Sequence, residues 1–93
     1  MIIDFYHDAA HGWIKVPLSK LKEFDIIDKI SYYSYMHNDH AYLEEDCDAH
    51  VYLNALSNRG IKFKFRDHQS NRSRIRSYQC FNRDRLLSEN IFG

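Results

Sequence analysis

Gly12, Pro17, Gly60 and Gly93 are the only glycines and the only proline in this chain of 93 residues. So few backbone breakers leave no material for a flexible linker, and no internal repeat is visible, so residues 1–93 read as a single domain. Each breaker then marks an element boundary. Residues 2–6 read as a strand, residues 7–12 as a turn, and residues 13–16 as a second strand that pairs with the first. Pro17 opens a short helix, because the first helical position has no use for an N–H, and Leu18, Leu21 and Phe24 point to the core. Residues 30–36 and 40–45 read as strands joined by the turn-forming His37-Asn38-Asp39.

A second helix follows the acidic run Glu44-Glu45-Asp46-Cys47-Asp48. Asp46 or Asp48 is expected to cap it, the acids suit the positive end of its dipole, and Arg59-Gly60 close it. Ala49, Tyr52, Leu53 and Leu56 recur at i, i+3, i+4 and i+7 as one apolar stripe. Beyond Gly60, Ile61, Phe63 and Phe65 alternate with Lys62, Lys64 and Arg66, the period of a half-buried strand with its rings inward. Residues 72–78 alternate as well, and are expected to fold back on that strand as a basic hairpin. The expected fold is α+β, with an antiparallel or mixed sheet of about five to six strands and two helices packed on one face, in the order β-β-α-β-β-α-β-β.

Composition narrows the class. Aromatic residues make up 15% of the chain, enough large rings to build a core without disulfides or a structural metal. Cys47 and Cys80 are the only cysteines and form no Cys-x-x-Cys pair, which fits a reducing compartment and neither a disulfide scaffold nor a zinc ribbon. Residues 1–5 lack the basic start and long apolar run of a signal peptide, and no apolar stretch reaches the roughly 18 residues of a membrane span. A cytoplasmic protein without membrane association is expected. Its zero net charge hides a division: residues 1–50 carry ten acids against four lysines, a net −6, and residues 51–93 carry nine cations against three acids, a net +6. Either the halves neutralise each other on folding, or one pole is kept for a partner.

Four features are candidate sites. The acidic junction Glu44, Glu45, Asp46 and Asp48 serves as a helix start or as an anionic patch that imitates nucleic-acid phosphates or docks on basic protein; a hard-cation site is a third option, against which the spacing lacks the glycine and distal glutamate of an EF-hand loop. Tyr33 and Tyr35 share one face of the expected strand and Tyr32 the other; either both rows help bury the sheet, or one is an exposed aromatic patch that extends the acidic one as protein-binding anchors. Lys62, Lys64, Arg66, Arg72, Arg74 and Arg76, interleaved with aromatics, make the mixture that single-stranded nucleic acid favours. In the expected hairpin Lys64 faces Arg76 and Arg66 faces Arg74, so something negative, from the chain or from a partner, should cover them. Cys47 stands where the helix dipole lowers a thiol pKa and three neighbouring carboxylates raise it, so it reads as a small buried hydrophobe. His7 and His11 are spaced to share a face only on a helix, and here they flank a turn, so no metal site is expected. Phosphate-binding loops, nucleotide fingerprints and nucleophile elbows are missing, so no catalytic residue, cofactor or enzymatic activity is expected.

His11-Gly12-Trp13, Val16 and Leu18, Asp28-Lys29-Ile30-Ser31, Tyr33-Ser34-Tyr35, residues 42–49 and Arg76-Ser77-Tyr78 together give the chain a family resemblance. It resembles a family of small uncharacterised proteins met mainly in bacteriophages, prophages and plasmids. Ala9 and Ala10 depart from that family's Asp-Pro-Gly before His-Gly-Trp. The resemblance transfers a genomic setting and leaves the roles of His11, Trp13 and Cys47 open. It implies, by analogy, a non-catalytic binding protein that inhibits a host defence or nucleic-acid-processing complex in the host cytoplasm, in the manner of anti-CRISPR inhibitors. The expected partner is a protein that meets the acidic surface. A small nucleic-acid-binding protein using the basic hairpin is the alternative.

Overall fold

Tight turns build this sheet from hairpins outward. The computed structural model describes residues 1–69 and 74–92, with side chains to residue 87. β1 (Ile2–His7) turns back on β2 (Gly12–Pro17) with Phe5 opposite Ile14 and Tyr6 opposite Trp13. Pro17 ends β2 in extended backbone, φ −61° and ψ 135°, and α1 (Leu18–Glu23) starts one residue later than the sequence places it. β3 (Tyr35–His37) and β4 (His40–Glu44) form a second hairpin, with Asn38 in the left-handed region at φ 55°.

α2 (Ala49–Asn58) closes at Gly60, where φ is +70°. The Gly60 N–H donates to Ser57 O at 3.0 Å and the Ile61 N–H to Leu56 O at 3.0 Å. This double bond pattern needs a left-handed residue, and glycine adopts that conformation without a Cβ penalty. β5 (Lys64–Gln69), β6 (Gln79–Cys80) and α3 (Arg83–Phe92) complete the chain. The six strands run β5-β1-β2-β4-β3-β6, antiparallel throughout except for the parallel pair β1 and β5. The fold is thus α+β with a mixed sheet. Among the described residues no helix is long and apolar enough to cross a membrane.

Alternation along the strands gives the sheet two unlike faces. One face, with Ile3, Ile14, Val16, Met36, Ala41 and Leu43, packs against Leu21 of α1, the Ala49, Tyr52, Ala55 and Leu56 stripe of α2, and Leu86 of α3. The other face is aromatic: Trp13 and Tyr42 with Tyr6 and Tyr35 at their sides, covered by Ile75 and Tyr78. Burial pushes the Tyr42 hydroxyl up to about 12. A 3₁₀ turn, Arg74–Ser77, carries that cover.

Three expectations are corrected. The basic hairpin does not form: β5 pairs parallel with β1, residues 74–77 are a 3₁₀ turn, and β6 lies at the far edge beside β3. That arrangement places Arg66 opposite Asp4 instead of Arg74, so opposite charges replace like ones. Ile61 and Phe63 are half-buried before β5 begins, and Phe65, 47% exposed, is a rim residue against Phe5 and not core. Residues 30–34 do not belong to a strand; Ser31 and Ser34 bond away from the ladder, and only Tyr35–His37 pair. A third helix, α3, also follows the elements read from sequence.

Gly12 is required by close approach. A Cβ there would meet the Phe5 ring at 2.7 Å and Glu45 Oε2 at 2.7 Å. The carboxylate can swing away, but the ring is packed against the core. Gly12→Ala should therefore lower stability by about 1–3 kcal/mol through overpacking, while Phe65→Ala should fall well short of the ~3–5 kcal/mol of a buried ring. Urea melts of the two variants check both values.

Candidate functional site

Asp48 occupies the cap position of α2, yet its carboxylate makes no capping bond. It is 3% exposed, and one oxygen, Oδ2, accepts the Ser31 N–H at 3.1 Å, the Ser31 hydroxyl at 2.7 Å and the Ser34 hydroxyl. Ser34, fully buried, accepts the Glu44 N–H at 3.0 Å. Ser31 Oγ accepts the Tyr33 N–H at 3.2 Å and lies 3.8 Å from Cys47 Sγ. A carboxylate buried without donors would be very unfavourable, so these bonds and the fold depend on one another.

The consequence is a corner where two turns meet. Residues 31–34 and 45–48 are fastened through Asp48, and the Glu45 N–H donates to Gly12 O at 2.9 Å, adding the start of β2. Tyr32 and Tyr33 project from the corner, 70% and 61% exposed, with their rings stacked at 5.0 Å. Glu45 and Asp46 are exposed and Glu44 half-buried. Among the ion pairs of the described residues are Lys20 with Glu23, Asp4 with Arg66 and His68, and Asp8 with Arg76. Glu44, Glu45 and Asp46 take part in none of these.

The structure divides the acidic and aromatic set. Tyr33, Glu45 and Asp46 share the corner surface, while Asp48 lies beneath it as its fastening. Tyr35 leaves for the aromatic face, opposite Tyr42 and 6.3 Å from the Trp13 ring, so Tyr33 and Tyr35 do not share a face. Trp13 is 2% exposed with its Nε1 buried and without a hydrogen-bond partner, and His11 is exposed with its ring 6.0 Å away. Cys47 is half-buried and Cys80 exposed. Among the described residues no group of three or more His, Cys, Asp and Glu could hold a metal ion.

The basic set is dispersed. Arg66 Nε donates to Asp4 Oδ1 at 2.7 Å, and His68 Nε2 sits 2.9 Å from the same oxygen. Arg76 grips Asp8 with Nε and a terminal nitrogen, each at 3.1 Å, while its guanidinium lies 5.6 Å from the Trp13 ring. Asp8 also accepts the Ala10 and His11 N–H groups at 2.9 Å, and Arg76 above all holds its carboxyl far below the usual range. Lys62, Lys64 and Arg74 are exposed, and Arg72 lies outside the described residues. Sequence reasoning missed Asp4 and Asp8 as the covering acids; the −6 and +6 division was the available signal, and it carried no pairing.

No protein-family model, curated protein or solved structure matches the chain.

Asp48→Ala leaves the Ser31 and Ser34 donors without an acceptor, so a loss of about 1–3 kcal/mol or more is expected, against under ~0.5 kcal/mol for exposed Glu45→Gln or Asp46→Asn. Thermal melts separate the two classes. Acid should act on Asp4, which the hydrogen bond from Arg66 lowers from 3.8 to about 2. A depressed carboxyl contributes stability above its unfolded value and loses it as pH falls through its folded one. The stability difference between the native chain and Asp4→Asn should therefore shrink as pH drops from 3.8 to about 2, measured by denaturant melts across that window.

Proposed function

We propose that the protein is a non-catalytic binding module that docks a basic protein surface through the corner bearing Tyr32, Tyr33, Glu45 and Asp46. The carrying observation is the buried Asp48 carboxylate, which fastens the tyrosine turn to the acidic turn. A preordered pair of stacked rings loses little conformational freedom on binding, and tyrosine is a favoured anchor. Carboxylates outside the ion-pair network steer a cationic partner toward those anchors. Glu45 and Asp46 then stand in for nucleic-acid phosphates, which fits an inhibitor of a host defence or nucleic-acid-processing complex. The resemblance to phage and plasmid proteins supports that setting, and the host cytoplasm as its compartment.

The non-catalytic reading rests on accessibility. Ser34 is fully buried and spends its proton on Asp48, itself 3% exposed, so neither reaches a substrate. A nucleic-acid role through the basic residues is the competing reading, and Arg66 and Arg76 are already held by Asp4 and Asp8.

The test is co-purification from host or infected-cell lysate with mass spectrometry, followed by binding kinetics on the partner found. Tyr32→Ala/Tyr33→Ala should weaken affinity at least on the order of tenfold, as loss of an anchor does. Glu45→Gln/Asp46→Asn should slow association and flatten its salt dependence while leaving the melt unchanged. Tight binding to a short single strand at physiological salt, lost in Arg74→Ala, would replace this reading with the nucleic-acid one.

A further inference from the structure

We infer that the open edge of β5 is a docking strand that takes an extended acidic segment of a partner protein as a seventh strand of the sheet. This surface is separate from the corner proposed above and does not depend on it. Among the described residues β5 is the terminal strand on its side, and every residue of it except His68 is exposed. The strand at the other end, β6, has only two residues. In a parallel ladder alternate residues bond the one neighbour. The Lys64 N–H donates to Met1 O at 2.9 Å, with Lys64 opposite Ile2. Lys64, Arg66 and His68 therefore turn their backbone groups toward β1, and Phe65, Asp67 and Gln69 turn theirs outward. A regular six-residue edge of this kind is a template for strand addition.

Side chains select the occupant. Lys64, Arg66 and His68 form one row, with a single carboxylate, Asp4, set against Arg66 and His68. Phe65, 47% exposed, belongs to the opposite row, and Met1 at the same end of the strand is 49% exposed. A second copy is a poor occupant. Antiparallel pairing within a continuous sheet keeps each face, so the cationic row would meet its own copy, and like charges directly opposite are unfavourable. A segment alternating carboxylates with apolar residues instead sets an acid beside the exposed Lys64, which takes no part in the Asp4 pairs, and an apolar side chain beside Phe65.

The experiment uses a short synthetic peptide alternating glutamate with valine, with amide hydrogen exchange of the full chain as the readout. Binding should slow exchange at Phe65, Asp67 and Gln69, whose N–H groups face outward, and leave the Arg66 and His68 amides as they were. A lysine–valine peptide should bind on the order of tenfold more weakly, and the glutamate peptide N-methylated on its pairing edge should not bind. Asp67→Pro removes an outward N–H that β1 does not use, so it should abolish binding with little change in the thermal midpoint. Should that variant fail to fold, the N-methylated peptide decides alone. Unchanged exchange at Phe65, Asp67 and Gln69 would overturn the proposal and make the charges a guard against pairing. Self-association in sedimentation that is lost in Asp67→Pro would overturn it in favour of a second copy.

Discussion

The fold turns on one carboxylate oxygen. Asp48 Oδ2 collects donors from two residues of the 31–34 turn while its own backbone starts α2. Placing a charge at 3% exposure is tolerable only where the donors are already aimed. The entry to β3, the exit of β4 and the first turn of α2 are therefore set together. Gly12 completes the arrangement, because its carbonyl accepts the Glu45 N–H and the Phe5 ring leaves no room for a side chain at that position.

A second constraint joins the ends of the sequence. Asp4 and Asp8, in and just after β1, meet Arg66 and Arg76, 62 and 68 residues away. The acidic half and the basic half neutralise each other in part along these two links, one at the edge of the sheet and one over its aromatic face. Arg76 also lies over Trp13, so the Asp8 pair positions the 3₁₀ turn that covers the indole. Of the basic residues between 62 and 76, Lys62, Lys64 and Arg74 are exposed and take no part in these two links.

Local chemistry was legible in the sequence and partner choice was not. The Gly60 closure of α2, the Asn38 turn and the Leu21 and Phe24 burial follow from residue type and spacing, and each formed as read. Alternation of residues 61–66 correctly indicated a strand nearby. It could not show that the strand would sit at the rim, where an alternating aromatic such as Phe65 stays exposed. Nor does alternation name the neighbour, so a hairpin with residues 72–78 read as well as the pairing with β1 that forms. Ser31 and Ser34 carried no period at all. Their role depends on a buried acid 17 and 14 residues onward, a distance at which spacing holds no information.

The parallel pairing of β1 and β5 also bears on how the sheet is assembled. Hairpins between neighbouring strands close quickly, whereas a pair separated by most of the chain waits on a long loop closure. Until β5 pairs with it, β1 is the outer strand of the antiparallel set, and an outer strand is where pairing with another chain would begin. Asp4 lies in that strand, and a charge on such a strand discourages pairing between molecules. The same carboxylate is a gatekeeper before β5 arrives and its ion-pair partner afterward.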